Sequence, residues 1–294
     1  MLLCCVKTIN DVFLTFKQDL TSIYNANEIQ ALTLLVISEV TTSSKATIKA
    51  FPERELTDAQ QRSITSILTQ LTTGKPLQYI LGYTEFYGLR FNVTPATLIP
   101  RPETEELVEW ALVSWQLAVG SWQQPHHVLD IGTGSGCIAI SLKKNLPGVN
   151  VTAIDISPDA LLVAKNNALL NEVDIDFVEA DILKSQISRL TSQYSLIISN
   201  PPYVTPADKE QMHLNVVDFE PHSALFVAQE DSLLFYRAIA HFAVANLVPN
   251  GLLFFEINES YGNETVELLN NMGFKNIELK KDMSDRYRMV KANL

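Results

Sequence analysis

Residues 128–140 read VLDIGTGSGCIAI: an apolar run, three glycines at alternate positions, and a second apolar run. The first run reads as a buried strand and the second as the start of a helix, so the glycines mark a tight strand-to-helix turn. Gly132, Gly134 and Gly136 carry no Cβ, so the backbone can turn sharply there and a ligand can approach it. In an open α/β sheet, ligands bind beyond the carboxyl ends of the strands at such a turn. Many nucleotide-type cofactors use one. The spacing is GxGxG and not the dinucleotide GxGxxG.

Strands and helices alternate on the carboxyl side of this turn. VNVTAIDI, IDFVEAD and YSLIISN read as further strands, and SPDALLVAKNNALL reads as a helix with Ser157 as N-cap and Pro158 in its first turn. A helix near 231–246, the strand GLLFFEI, a helix near 263–272 and two closing strands follow. The pattern predicts a mostly parallel seven-stranded sheet with helices on both faces. Asp155 ends the second strand, nineteen residues after Gly136, where its carboxylate can take both hydroxyls of a ribose. A helix-capping or surface role is the alternative. Asp181, ending the third strand, can reach an adenine amino group, with Ile182 as an apolar wall for the ring. A simple strand end explains those two as well.

The fourth strand runs into LIISNPPYV, residues 196–204. Neither proline has the N–H that a central strand must donate, and Pro201 forces Asn200 toward an extended backbone. The chain therefore leaves the sheet rigidly, holding an amide, two ring-locked residues and an aromatic at the strand's end. Strand punctuation is the plain reading of the tetrapeptide; a functional site is the other.

Upstream, residues 6–73 show helical periodicity with little turn chemistry. Val12, Phe13, Phe16 and Leu20 form one apolar stripe, and Ile29, Leu32, Leu35 and Val36 a second. A third, Ile64, Ile67, Leu68 and Leu71, follows Thr57 as N-cap and stops at Gly74. Residues 1–75 are thus expected to form a small helical bundle, a stabilising or partner-docking appendage without chemistry of its own. Residues 82–95 alternate aromatic and polar side chains around Gly88, as a β-hairpin does. Residues 76–97 are taken as a linker and residues 98–294 as the α/β domain.

Of 294 residues, 47% are hydrophobic and 19% charged, a globular profile, and no run approaches the ~20 apolar residues of a membrane span. Residues 1–97 hold eight basic and eight acidic side chains. The remaining residues hold fourteen and twenty-five, so the net charge of −11 lies in the α/β domain. A protein gripping phosphates shows the opposite bias, which argues against a nucleic-acid substrate. The start lacks a basic segment before an apolar core, and the three cysteines form no framework, so a reducing compartment, the cytoplasm, is expected. Cys4 and Cys5 read as an incidental buried pair in preference to a lipidation or metal site. Cys137 opens a helix, where a thiolate can be favoured, or simply packs beneath the loop. The five histidines show no metal spacing.

The glycine turn, the acid after the second strand and NPPY after the fourth resemble, in that order, the Rossmann-like class I methyltransferases that use S-adenosylmethionine. NPPY resembles the branch acting on amide or exocyclic amino nitrogens. PLQYILG (76–82), LIPRPETEELV (98–108) and DFEPHSAL (218–225) narrow the resemblance to the peptide chain release factor glutamine methyltransferases, the HemK or PrmC family. It spans essentially the whole chain. It implies methylation of the N5 amide nitrogen of the glutamine in the Gly-Gly-Gln motif of class 1 release factors. S-adenosylhomocysteine is the implied product, and a monomer without metal or direct nucleic-acid substrate is expected.

On this reading Gly132, Thr133, Gly134, Ser135, Gly136, Asp155, Asp181, Ile182 and Asn200 bind the cofactor. Asp130 either orients the methionine amino group or braces the loop. An amide nitrogen is a poor nucleophile, because its lone pair is delocalised into the carbonyl. Positioning and electrostatics are the available levers: in-line placement at ~3–3.5 Å supplies roughly 7–11 kcal/mol of the barrier, and acceptors on the NH₂ protons stabilise the charge developing on nitrogen. Asn200 Oδ1 and the Pro201 carbonyl are such acceptors, held by Pro201 and Pro202, and Tyr203 offers a flat face for the glutamine. IPRPETE either covers the cofactor, with Glu103, Thr104 or Glu105 nearby, or is only a helix N-terminus. DFEPHSAL reads as a loop before a helix, and His222 has no assigned role.

Three rival readings remain. A nucleic-acid amino-methyltransferase uses the same cradle but meets an acidic domain here. An NAD(P) oxidoreductase needs GxGxxG and has no use for NPPY. A silent binding module leaves Gly132, Gly134, Gly136, Asp155 and Asn200 without a purpose.

Overall fold

The computed structural model describes residues 6–122, 126–184, 190, 193–210 and 212–294; Cys4 and Cys5 lie outside the described residues. The chain divides into two compact units, one of residues up to Leu81 together with Leu214–Phe219, the other of Gly82–His213 and Glu220–Leu294.

The first unit is helical: α1 (Ile9–Leu20), α2 (Ala26–Thr41), α3 (Lys45–Ala50), α4 (Asp58–Leu71) and α5 (Leu77–Leu81). Thr8, Asn25 and Thr57 cap α1, α2 and α4 through reciprocal capping boxes, each satisfying N–H groups that a helix start leaves unpaired. α1 buries Ile9, Val12, Phe16 and Leu20, and α4 buries Ile64, Leu68 and Leu71. The expected stripe on α2 is corrected. Leu35 is exposed, and the buried side runs through Ile29, Thr33, Leu34, Val36 and Ile37. Thr33 reaches that side because its hydroxyl donates to the Ile29 carbonyl at 2.6 Å, which removes the cost of burying it.

The second unit begins with a hairpin, β1 (Tyr83–Phe86) and β2 (Leu89–Asn92). Its two-residue turn places Tyr87 at φ 49° and Gly88 at φ 72°, the left-handed pair that matches strand twist. The expected linker is therefore shared out, α5 to the first unit and the hairpin to the second. The physical reason is burial: Phe86 and Phe91 are fully enclosed in the second unit's core.

There follow α6 (Pro102–Ala118), β3 (His127–Ile131), α7 (Cys137–Asn145), β4 (Asn150–Asp155), α8 (Pro158–Leu170), β5 (Asp176–Glu179) and β6 (Tyr194–Ser199). The chain continues through α9 (Pro206–Lys209), α10 (Leu214–Phe219, in the first unit), α11 (His222–Leu225), α12 (Leu234–Asn246) and β7 (Leu247–Glu256). It closes with α13 (Gly262–Asn271), β8 (Lys275–Lys281) and β9 (Tyr287–Asn293).

The sheet order is β5-β4-β3-β6-β7-β9-β8, with β5 to β7 mutually parallel and β9 antiparallel to both its neighbours. Successive residues of each central strand feed opposite faces. Val128, Leu196, Ile198, Leu252 and Phe254 meet α6 and α7, whereas Leu129, Ile131, Ile197, Leu253 and Phe255 meet α12 and α13. Both faces are covered, which explains why these strands read as continuous apolar runs. Truncating Phe254, fully buried and edge-on to Trp110 at 5.4 Å, removes about 3–5 kcal/mol by loss of packing.

Candidate active site

β4 and β6 flank β3 on opposite sides, so the chain order reverses there, and a cavity of about 370 Å³ opens at the carboxyl ends of these strands. Gly132, Thr133, Gly134, Ser135, Asp155, Asp181, Ile182, Asn200, Pro201 and Pro202 all line it. Gly136, Asp130 and Tyr203 do not.

The glycine turn folds onto the end of β4. Gly132 and Thr133 N–H both donate to the Ile154 carbonyl at 2.9 Å, Gly134 N–H donates to Asp155 Oδ2 at 2.8 Å, and Gly136 N–H to the Thr133 carbonyl at 2.8 Å. The three glycines have φ of 74°, 55° and 82°, where a side chain is strained. Their surroundings differ. A Cβ on Gly132 or Gly134 would meet open space, whereas one on Gly136 would meet Ile140 Cδ1 at 2.9 Å and Ala164 Cβ at 3.2 Å. The first two keep the turn bare; the third lets α7 pack on α8.

Asp130 lies beneath the turn, fully buried. Its Oδ2 accepts from Thr133 Oγ1 at 2.6 Å and Ala139 N–H at 3.2 Å, while Oδ1 has no hydrogen-bond partner within the protein. Burial pushes its pKa up to about 7, against the pull of those donors. Its bonds within the protein, to Thr133 and Ala139, are those of a residue that braces the loop. Cys137, beside it, has its thiol pushed up to about 12 by burial and by the Asp130 charge, so the thiolate alternative fails.

Asp155 accepts from Gly134 N–H through Oδ2 and from Ser157 N–H at 2.9 Å through Oδ1, and burial raises its pKa despite these donors. Capping of α8 falls to Ser157, whose Oγ accepts from Ala160 N–H. Asp181 accepts from Leu183 N–H at 2.9 Å and pairs with Lys184 at 3.2 Å. Asp155, Asp181 and Arg101 are the charged residues of the wall, and Arg101 is neutralised by Glu220 at 2.5 Å. With four loop amides engaged and Arg101 neutralised, the wall suits a neutral or cationic ligand carrying hydroxyls better than a phosphate.

At the end of β6, the Ser199 hydroxyl donates to the Ile131 carbonyl at 2.7 Å and ties this strand end to that of β3. Asn200 Nδ2 donates to Thr104 Oγ1 at 3.3 Å. The Tyr203 ring packs against the α12 side of the core, with the Arg288 guanidinium 6.0 Å from its centre. Its hydroxyl donates to Glu256 Oε1 at 3.1 Å, and burial raises its pKa strongly.

Of Glu103, Thr104 and Glu105, only Thr104 lines the cavity. Glu105 accepts from Tyr87 N–H at 2.7 Å, which with Glu109 on the Tyr87 hydroxyl fixes the hairpin turn. Glu103 faces Arg286 at 4.0 Å. DFEPHSAL supplies Glu220, buried and accepting from Ile99 N–H at 3.1 Å as well as from Arg101, so this segment fastens the approach to α6. His222 packs edge-on to Phe226 at 5.1 Å, and Phe226 lines the cavity. Sequence reasoning passes over Glu220, Glu256 and Asn258. Only Glu256 carries a local signal: it is an acid closing an apolar strand, the same feature that draws attention to Asp155. Among the described residues no cluster of three His, Cys, Asp or Glu is placed to hold a metal, and no helix is long and apolar enough to cross a membrane.

A sheet of this order, with a glycine turn on its central strand and Asn-Pro-Pro at the neighbouring strand end, defines a class I methyltransferase fold. Residues 116–219 match the methyltransferase small domain family, and residues 12–82 match the PrmC N-terminal domain. The chain is 49% identical to a release factor glutamine methyltransferase of Flavobacterium psychrophilum over 95% of this chain and 96% of that protein. It is 40% identical to one of Bacteroides thetaiotaomicron over 97% and 99%. A solved structure, the delta-N METTL16 MTase domain, shares the fold at 20% identity with a TM-score of 0.52, covering 75% of this chain and 95% of that one. The chain belongs to the release factor glutamine methyltransferase family.

Proposed function

We propose that this enzyme transfers a methyl group from S-adenosylmethionine to the N5 amide nitrogen of the glutamine in the Gly-Gly-Gln motif of class 1 peptide chain release factors, in the cytoplasm. The observation that carries the reading is the lining of one cavity by both the glycine turn and Asn200-Pro201-Pro202. Relatives bearing the release factor glutamine methyltransferase name over nearly the full chain support the substrate.

The residues present fit that cofactor. Open space above Gly132 and Gly134 admits a ligand against the backbone. Asp155 has carboxylate lone pairs for ribose hydroxyls, and Ile182 and Asp181 offer an apolar wall and an acceptor for adenine. The orphaned Oδ1 of Asp130 is an unused acceptor beneath the loop, which suits a hydrogen-bond donor or cationic ligand end. When bound, the cofactor supplies an electrophilic methyl on a positively charged sulfur. Asn200 Oδ1 and the Pro201 carbonyl then accept hydrogen bonds from the target NH₂, an interaction that strengthens as nitrogen becomes positive. The prolines fix these acceptors before substrate arrives, so little reorganisation remains at the moment of transfer. The first unit, without chemistry of its own, is read as a dock for the release factor.

Labelled S-adenosylmethionine offered with release factor, DNA and RNA, followed by peptide mass mapping, tests this. Label on the glutamine of Gly-Gly-Gln is expected. Label on nucleic acid alone would replace the substrate, and tight NADH binding without affinity for the sulfonium compound would end the methyltransferase reading.

A further inference from the structure

Glu256 is the last residue of β7, on the same side of the sheet as Leu252 and Phe254, and so it points toward α6. It is 1% exposed, yet it touches two residues that border the site. Thr104 Oγ1, in the first turn of α6, donates to its Oε2 at 2.6 Å, and the Tyr203 hydroxyl donates to its Oε1 at 3.1 Å. Two residues on, buried Asn258 gives its Nδ2 to the Tyr203 carbonyl at 3.1 Å and to Asp208 at 2.9 Å. The end of β7 therefore holds Tyr203 by hydroxyl and by backbone.

The direction of these bonds carries the consequence. Both Glu256 oxygens accept, Oε2 from Thr104 and Oε1 from Tyr203, so Thr104 gives Glu256 its single hydroxyl hydrogen. Thr104 Oγ1 can then only accept from Asn200, which obliges the Asn200 amide to present Nδ2 to Thr104. An amide is planar, with oxygen and nitrogen on opposite arms, so Oδ1 is left turned from Thr104 and free to accept. We propose that Glu256, through Thr104, is the positioning residue that fixes the orientation of the Asn200 amide and keeps Oδ1 as the acceptor for the methylated nitrogen. This rests on the reading of Asn200 as substrate acceptor given above. Burial raises the Glu256 pKa overall, against the pull of the two hydroxyl donors and the charge of Arg288. Arg288 is itself anchored by donating to the Ile257 carbonyl at 3.2 Å and to Asp282 at 3.5 Å.

The test uses full-length enzyme, purified release factor and labelled S-adenosylmethionine, with single-turnover rates, KM for release factor, calorimetric cofactor affinity and circular dichroism. Thr104→Val keeps the shape and removes the hydroxyl. Glu256→Gln keeps the size but adds a donor, allowing the Thr104 hydroxyl to turn round and the Asn200 amide to flip. Both are expected to slow transfer on the order of 10-fold to 100-fold, the range that partners orienting a site residue typically carry, with KM and cofactor affinity nearly unchanged. Thr104→Ser restores the hydroxyl and is expected to restore most of the rate. A folded Thr104→Val enzyme with the normal rate overturns the inference, and so does a Thr104→Ser enzyme as slow as Thr104→Val. If Glu256→Gln does not fold, the Val and Ser pair decides. A wild-type enzyme that leaves release factor unmethylated overturns the substrate reading and this inference together; an active wild type beside an equally active Thr104→Val overturns the inference alone.

Discussion

The ends of β3 and β6 lie side by side on one cavity and are built in opposite ways. The turn after β3 works by lacking side chains, and its bracing bonds are short in sequence: Asp130 takes Thr133 and Ala139, three and nine residues on, and Asp155 takes Gly134 twenty-one residues back. The tetrapeptide after β6, on the function proposed above, works by aiming a side chain. Proline stiffens its backbone locally, but Asn200 bonds to Thr104, ninety-six residues away, and Tyr203 to Glu256, fifty-three away. A site made of backbone can be encoded within one strand-turn-helix-strand unit. A site made of an aimed amide needs the sheet to assemble first.

The largest expected effect falls on the second strand end. Asn200→Ala should keep the fold, since the residue sits at a strand exit, and should slow single-turnover methylation at saturating cofactor by ~10²–10³, the usual cost of one preorganised polar partner. Asn200→Asp keeps an acceptor and adds a charge, so an intermediate rate is expected. Near-normal turnover in folded Asn200→Ala would return NPPY to strand punctuation and erase the contrast.

On the first strand end the loss should appear in affinity. Asp155→Ala removes the proposed ribose acceptor and leaves Gly134 and Ser157 N–H without their partner. Calorimetry should show S-adenosylhomocysteine binding weakened roughly 10-fold to 100-fold, the scale of hydrogen bonds to a charged group. Unchanged affinity would remove Asp155 from the ligand site.

The glycines separate ligand space from packing. Gly136→Ala introduces contacts with Ile140 and Ala164 at a left-handed φ and should cost about 1–3 kcal/mol of stability. Gly132→Ala has the strain without the clash, so a smaller melting shift and a larger loss of cofactor affinity are expected. Equal thermal shifts for the two variants would contradict this division.

The smallest effect is a slope. Asp130 titrates at about 7 when folded, against an ordinary value of 3.8. Its proton is held more tightly in the folded chain, so this residue favours folding fully below about pH 4, and that contribution is lost as pH rises to about 7. Asp130→Asn, neutral throughout, should flatten the decline in stability across this window in denaturant titrations of the ligand-free enzyme. Parallel curves for the two proteins would show that burial of Asp130 carries no such cost.

The alternation of strand and helix, the glycine turn, Asp155 at the second strand end and the proline exit of the fourth strand follow from the sequence alone. Each rests on a rule that acts within a few residues: the period of side chains along a strand, the missing Cβ of glycine, the missing N–H of proline. Ser157 and Thr57 as caps belong to the same group. The tertiary structure alone decided the rest. The hairpin joined the second unit because Phe86 and Phe91 needed an apolar core, and Leu35 turned outward because a full helix face, not a pair of apolar neighbours, chooses the buried side. Tyr203 bonded to Glu256, Glu220 closed on Arg101 across more than a hundred residues, and Thr104 came to stand between Glu256 and Asn200. Hydrogen bonds among buried side chains depend on which strand ends and helix starts become neighbours, and that adjacency exists only once the sheet order has formed.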